Sequence, residues 1–323
     1  MNGSAPELVS VVIPSLNRPQ LVSQAVKSAL AQTIELLEVI VVIDGPDQAT
    51  VDTLKLIADP RLIVMELPTN IGPAGARNTG IKAATGTWIA FLDDDDQWLP
   101  LKLERQLEVA RRSVHASPII SCRFIAHSSN GEFIWPTRLP PANASIPEYL
   151  FIRESLFLGE AFIVTPTILT KKELLEKIPF NPNLPRHEDL DWLVRASQES
   201  GVGLEFVSES MAIINMMYGK KRQSLSNVND WKYSLNWIRS VRELISPQAY
   251  AGFMVAVVGP TASTEGDWQA FLPILWETLS IGKPRIFDIF LYILMWIVPQ
   301  DLRQKLRFLL KRKCNIENKG KAT

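Results

Sequence analysis

Four short aliphatic runs, LVSVVI at 8–13, LLEVIVVI at 36–43, RLIVMEL at 61–67 and TWIAFL at 87–92, alternate with helix-like segments in the N-terminal third of the chain. Continuous apolar runs of this length read as strands buried on both faces, and strands separated by whole helices pair in parallel. The first spacer, PQLVSQAVKSALAQ, repeats Leu21, Val22, Ala25, Val26, Ala29 and Leu30 at three-to-four spacing, with Pro19 near its first turn. A second helix is expected across 47–58 and a third from near Ala74. The pattern predicts an α/β fold, a mainly parallel sheet flanked by helices. Ligands of such sheets bind beyond the carboxyl ends of the strands, where Pro14, Ser15, Asp44 and the run Asp93 to Asp96 all fall.

With 323 residues the chain can form more than one compact unit. From residue 117 the pattern is mixed. SPIISCRFIAH, AFIVTPTILT, VGLEFVSE and SMAIINMMY read as strands, the Pro-rich stretch near 136–147 as loop, and HEDLDWLVRASQES as helix. Beyond about residue 230 the chain reads as mostly helical, with Trp231, Leu235, Trp237 and Ile238 on an apolar face.

Lys plus Arg and Asp plus Glu both total 34, so no global basic field recruits nucleic acid, and none is expected as a partner. The balance conceals a basic tail, since residues 302–323 carry eight Lys or Arg against Glu317 alone. Cys122 and Cys314 stand apart without metal spacing, which fits a reducing compartment. MNGSAPELVS has no basic segment followed by an apolar core, so a cytoplasmic location is expected. None of His115, His127 and His187 has metal-binding spacing, and no GxSxG elbow appears. Gly75 and Gly80 carry the gap of a phosphate loop, but Ile81-Lys82 follows where Lys and Ser or Thr are needed.

The run FLDDDDQWLP places four acids between a strand and a helix. Like charges so close raise the energy of the fold unless something positive sits among them. A solvated loop, a helix cap by Asp95 or Asp96, and a divalent cation site are the three readings. One cap does not need four acids.

Read together, VSVVIPSLNRP, VIVVIDGPDQAT, NIGPAGARNTGIKAATGTWIAFLDDDDQWLP and FNPNLPRHEDLDWLVRA resemble, in order and spacing, the family 2 glycosyltransferases, whose fold is called GT-A. The resemblance spans roughly residues 8 to 218 and divides the chain into a GT-A domain at 6–218 and a mostly helical C-terminal region at 219–323. It implies an inverting transfer of sugar from a nucleotide-sugar donor to a saccharide or lipid-linked acceptor, in synthesis of a cell-surface polysaccharide, lipopolysaccharide or glycolipid. Pro14, Ser15 and Asp44 would hold the nucleoside, with Asp44 otherwise a turn-stabilising acid before Gly45, and Arg77 would hold the diphosphate or else form a salt bridge to the acidic run. The family's D-x-D motif maps to Asp93-Asp94-Asp95, with Asp95 the main ligand of Mn²⁺ or Mg²⁺, Asp93 near the ribose or metal, and Asp96 at the helix start. The missing positive charge would then be the cation carrying a diphosphate. Asp94 stands where the family often has Ala or Ser, which leaves the register open.

Glu188-Asp189 resembles the family's ED pair, making Asp189 the base that deprotonates the acceptor hydroxyl. Asp191 is the rival, but two helical residues turn it about 200° away. YGKKRQSLSN at 218–227 loosely resembles a stretch that closes over the site, with Lys221 or Arg222 as diphosphate contacts or as a solvated loop. An inactive nucleotide-sugar-binding regulator and a metal-dependent nucleotidyltransferase are the alternatives. The acids at 93, 95 and 189 weigh against the first. The second would carry a Gly-rich segment with a basic residue after the first strand, which VIPSLNRP does not match.

RIFDIFLYILMWIVPQ holds twelve apolar residues, interrupted by Asp288, whereas a spanning helix needs about 20. Followed by LRQKLRFLLKRK, it reads either as an interfacial helix pair making peripheral membrane contact through 285–313, at the inner face of the membrane, or as a hairpin packed on the protein.

Overall fold

The structure is a computed structural model describing residues 7–128, 131–156, 159–216 and 230–298. The described residues fall into two compact units, one within 1–150 and 161–228, the other within 151–160 and 229–323.

In the first unit, β1 (Val9–Ser15) is buried along its whole length and is followed by α1 (Pro19–Leu30), which buries Val22, Ala25, Val26 and Ala29. Next come β2 (Leu37–Ile43), α2 (Gln48–Lys55), β3 (Leu62–Glu66), α3 (Gly72–Ala83) and β4 (Trp88–Phe91). These strands pair in parallel in the order β3-β2-β1-β4, with Ser15 opposite Ile43 and Val12 opposite Phe91, so their carboxyl ends open on one edge. Alternate residues feed cores on both faces: Val11, Ile13 and Val41 on one, Val12, Ile40 and Val42 on the other. The connections hold α3 tightly. A Cβ on Gly80 would lie 2.4 Å from Val12 Cγ1, so only glycine lets α3 approach β1 this closely.

Then follow β5 (Gln97–Trp98), α4 (Lys102–Arg112), β6 (Ser117–Ser128), β7 (Gly131–Trp135), α5 (Ile146–Phe151), β8 (Leu169–Lys171), α6 (Lys172–Lys177), α7 (Glu188–Ala196) and β9 (Val202–Asn215). They extend the sheet as β4-β8-β6-β9-β5, with β7 on β6. Here the pairing is mixed: β8 is antiparallel to β4 and β6, β5 is antiparallel to β9, and β6 runs parallel to β9.

Three expectations are corrected. VGLEFVSE and the start of SMAIINMMY form one strand, Val202–Asn215, rather than two. Val207 faces Cys122 and Ser210 faces Arg123, so Ser208 and Glu209 are absorbed as a bulge. AFIVTPTILT is strand only at Leu169–Lys171, because its TPT forms a 3₁₀ turn at Thr165–Thr167. Asp96 does not start a helix, since α4 begins at Lys102 after Leu101.

The second unit is helical: α8 (Trp231–Ser240), α9 (Pro247–Phe253) running through a π-helical stretch at Met254–Val258 into α10 (Gly259–Glu265), then α11 (Phe271–Ile281) and α12 (Ile286–Ile297). Phe151, Trp237 and Phe253 pack edge to face or tilted at its centre, with centroids 5.0–6.2 Å apart. Among the described residues no helix is long and apolar enough to cross a membrane.

Candidate active site

The carboxyl edge of β1, β2 and β4 gathers most of the sequence-predicted residues. Pro14 is buried in β1 opposite Val42, and Ser15 ends the strand. Asp44 follows β2, donates its backbone N–H to Ser15 O at 2.9 Å, and accepts the Ile71 N–H on Oδ1 at 2.7 Å. Its other oxygen, Oδ2, is buried without a hydrogen-bond partner. A buried carboxylate oxygen left unpaired costs free energy until something donates to it, and a base N–H or ribose hydroxyl has that chemistry. Gly45 makes the turn at φ +122°, beside Asn70.

The four acids divide by partner. Asp93 Oδ1 accepts Arg77 Nη2 at 2.8 Å. Asp94 is engaged on both oxygens, by Ser15 Oγ at 2.9 Å and Arg18 Nη1 at 2.8 Å. Burial pushes its carboxyl up to about 6, against the lowering influence of Arg18 and Ser15. Asp95 Oδ2 meets the same Arg18 Nη1 at a longer 3.3 Å. Asp96 Oδ1 accepts the Asn215 N–H at 2.8 Å, tying the run to the end of β9. Among the described residues, two guanidiniums, Arg18 and Arg77, bring positive charge to the run. Sequence reading missed Arg18. The signal was present in VIPSLNRP, where the first strand's turn does carry a basic residue just ahead of α1.

Arg77 is buried on α3. Burial disfavours its charge, but Asp93 and Glu188 more than restore it. Its Nη1 donates to Glu188 Oε1 at 3.3 Å, so one guanidinium joins the acidic run to the start of α7. Its ζ carbon stands 5.8 Å from the Phe180 ring centre. Asn78, next on α3, pins that Phe180 segment from both sides, donating to Phe180 O at 2.8 Å and accepting its N–H at 3.0 Å. Phe180 sets its ring against Phe91 at 5.3 Å and stacks on Trp192 at 5.5 Å, a chain of rings from β4 to α7.

At the head of α7, His187 adopts a left-handed φ of 64°. Burial, reinforced by Arg186, pushes its imidazole down to about 3, so it is neutral. Asp189 Oδ1 accepts the Leu190 N–H at 2.8 Å. Burial, with Glu188 and Asp93 adding to it, pushes the Asp189 carboxyl up to about 7, while the Leu190 N–H and Arg77 pull the other way. Asp191 is buried and held by Arg195 Nε at 2.7 Å on the next turn, which makes it a structural ion pair. Arg222 and the stretch 218–227 lie outside the described residues.

Among the described residues no three of His, Cys, Asp and Glu converge into a complete metal cage. Mg²⁺-type sites at diphosphates need only one or two carboxylates, with phosphate oxygens and water completing the shell. The run has the oxygen chemistry for that demand, and the resemblance assigns it to Asp95, whose Oδ2 also meets Arg18 Nη1 at 3.3 Å.

The family model for Glycosyl transferase family 2 matches residues 10–179, which takes in the acidic run and stops short of Glu188. AmsB, the amylovoran biosynthesis glycosyltransferase of Erwinia amylovora, is 30% identical over 242 residues, 72% of this chain and 77% of that protein. WfaP of Escherichia coli, a UDP-Glc:α-D-GlcNAc-diphosphoundecaprenol β-1,3-glucosyltransferase, is 40% identical over 101 residues, 31% of this chain and only 40% of its own length. Crystal structures of S. aureus TarS 1-349 share the fold, with TM-score 0.59 at 19% identity, covering 90% of this chain and 81% of that one. The same protein in complex with UDP-GlcNAc gives 0.53 at 18%, covering 89% and 79%.

Proposed function

The chain belongs to glycosyltransferase family 2, and on that premise we propose that it inverts configuration while moving a sugar from a nucleotide-sugar to a hydroxyl of a saccharide or lipid-linked acceptor. The observation that carries this reading is the Asp93–Arg77–Glu188 bridge, which sets the acidic run and the Asp189 carboxyl around one guanidinium. The catalytic domain is assigned to 6–218 and a C-terminal region to 219–323, whose described residues, 230–298, are mostly helical.

Asp44, with its unpaired Oδ2, and Ser15 bind the nucleoside. Arg77 offsets charge on the diphosphate, and Asp95 would hold Mn²⁺ or Mg²⁺, which when bound would supply positive charge to the leaving diphosphate. Asp189 removes the proton from the acceptor hydroxyl, whose oxygen bonds to the anomeric carbon as the bond to the diphosphate breaks. The electron pair leaves on the phosphate oxygen. Asp94 keeps Arg18 and Ser15 in place.

AmsB by its name serves polysaccharide synthesis, WfaP by its name adds glucose to a polyprenyl-diphosphate sugar, and TarS binds UDP-GlcNAc. These support a UDP-sugar donor and a lipid-linked acceptor used at the cytoplasmic face of the cell membrane. A panel of nucleotide-sugars with Mn²⁺, followed by donor hydrolysis, tests the proposal with Asp95→Ala and Asp189→Ala as controls. Hydrolysis of one donor that both substitutions abolish is expected. Absence of turnover with every donor, or turnover indifferent to both substitutions, defeats it.

A further inference from the structure

Eight of the eighteen large hydrophobic side chains exposed among the described residues lie on or directly before two consecutive helices, α11 and α12. Trp268, in the 3₁₀ turn ahead of α11, and Leu272, Trp276 and Leu279 on it are 50–71% exposed. On α12 they are Ile286, Phe290, Ile293 and Ile297, with Ile286 at 88%. Spacings of four and three residues on α11, and of four, three and four on α12, keep each helix's own set within an arc of about 60° at 100° per residue, so each helix presents an apolar stripe to water. The opposite faces are already satisfied. Phe271 packs on Tyr292 and Trp296 at 5.4 and 5.3 Å, Tyr292 Oη donates to Phe271 O at 2.7 Å, and the buried Asp288 is bound by Arg285.

We infer that these two stripes seat on the surface of an anionic lipid bilayer. Three observations select that occupant. Two exposed tryptophans sit among aliphatic side chains, the pairing favoured at the boundary of headgroups and acyl chains. Neither helix is long enough to span, at 11 and 12 residues, so the apolar faces lie along a membrane rather than across it. The sequence after α12 supplies eight Lys or Arg against one Glu within 302–323, the charge that complements anionic headgroups and would repel a second copy of itself. The purpose of the contact, holding the enzyme beside a lipid-linked acceptor, rests on the proposed function, but the surface itself does not.

Vesicle flotation of the full chain is the test, using phosphatidylcholine vesicles with and without phosphatidylglycerol. The wild type is expected to float with the anionic vesicles and much less with phosphatidylcholine alone. Leu272→Ser with Trp276→Ser, and separately Phe290→Ser with Ile293→Ser, should each lower the bound fraction about tenfold, with thermal unfolding and lipid-free donor hydrolysis unchanged. A wild type that stays with the lipid-free fraction overturns the inference, as do well-folded variants that float like it. So does a wild type that is dimeric by light scattering and lipid-free, with monomeric variants, since the stripes would then belong to a second copy. Flotation without donor hydrolysis would leave this surface standing and count against the transferase reading alone.

Discussion

Arg77 joins two segments 95 residues apart in sequence: it donates at 2.8 Å to Asp93, beyond β4, and at 3.3 Å to Glu188, at the head of α7. The fork matters because a planar guanidinium can hold two carboxylates at fixed angles, whereas an ammonium is a point charge. Arg77→Lys should therefore fold but lose donor hydrolysis by about 10²-fold or more. Arg77→Met should lower stability by about 1–3 kcal/mol, since two partly buried carboxylates lose their charged donor. Denaturant unfolding and steady-state rates measure the two effects separately.

The acids of the run should separate by function. Asp95→Asn is expected to abolish the response of donor hydrolysis to Mn²⁺ while leaving the fold intact. Asp96→Ala should keep that response and lose about 1 kcal/mol of stability, because the part-buried Asn215 N–H loses its acceptor. Mn²⁺ titrations of rate, paired with thermal melts, check both.

The pH profile reports Asp189. As the proposed base it acts ionised, and its carboxyl is raised from 3.8 to about 7, so activity should climb through a titration near pH 7. The linkage has the matching sign. Between those values the folded protein binds more protons than the unfolded chain, so this group makes stability fall as pH rises through the window. Asp189→Asn should remove that part of the slope together with the activity, while Asp191→Asn should cost stability and retain turnover.

Gly80→Ala should destabilise by about 1–3 kcal/mol, because the added methyl meets Val12 at 2.4 Å between a strand and a helix that are both fully packed. Calorimetry reads this directly. A neutral result would mean that α3 shifts freely against β1.

Lys102 presents the opposite case. It is fully buried on α4, its Nζ lies 3.8 Å above the Trp98 ring with no hydrogen-bond partner, and burial pushes it down to about 7. Lys102→Met keeps the length of the side chain and removes the buried amine, so a stability gain of about 1 kcal/mol is expected in thermal unfolding.

The parallel half of the sheet was legible because β1, β2 and β4 are apolar on both faces, and that pattern survives any tertiary context. The same reading placed Ser15, Asp44 and Asp93 on one edge, since strand ends in parallel pairing follow from the strands themselves. The β9 bulge was not legible, because Ser208 and Glu209, the polar pair that ends VGLEFVSE, look like a turn before SMAIINMMY. The four acids could not be divided by sequence either. Their partners among the described residues include Arg18, Arg77, Ser15 and the Asn215 backbone, and those reach the run only through the fold. Arg18 was overlooked for that reason, although it stands beside the first strand's turn.

The anomer first released in donor hydrolysis is the most direct test of the central claim. With an α-linked nucleotide-sugar and Mn²⁺, proton NMR recorded faster than mutarotation should show the β sugar appearing first, and Asp189→Asn should suppress its appearance. Initial release of the α sugar, or the β sugar formed equally fast without the Asp189 carboxylate, would contradict inversion by this base.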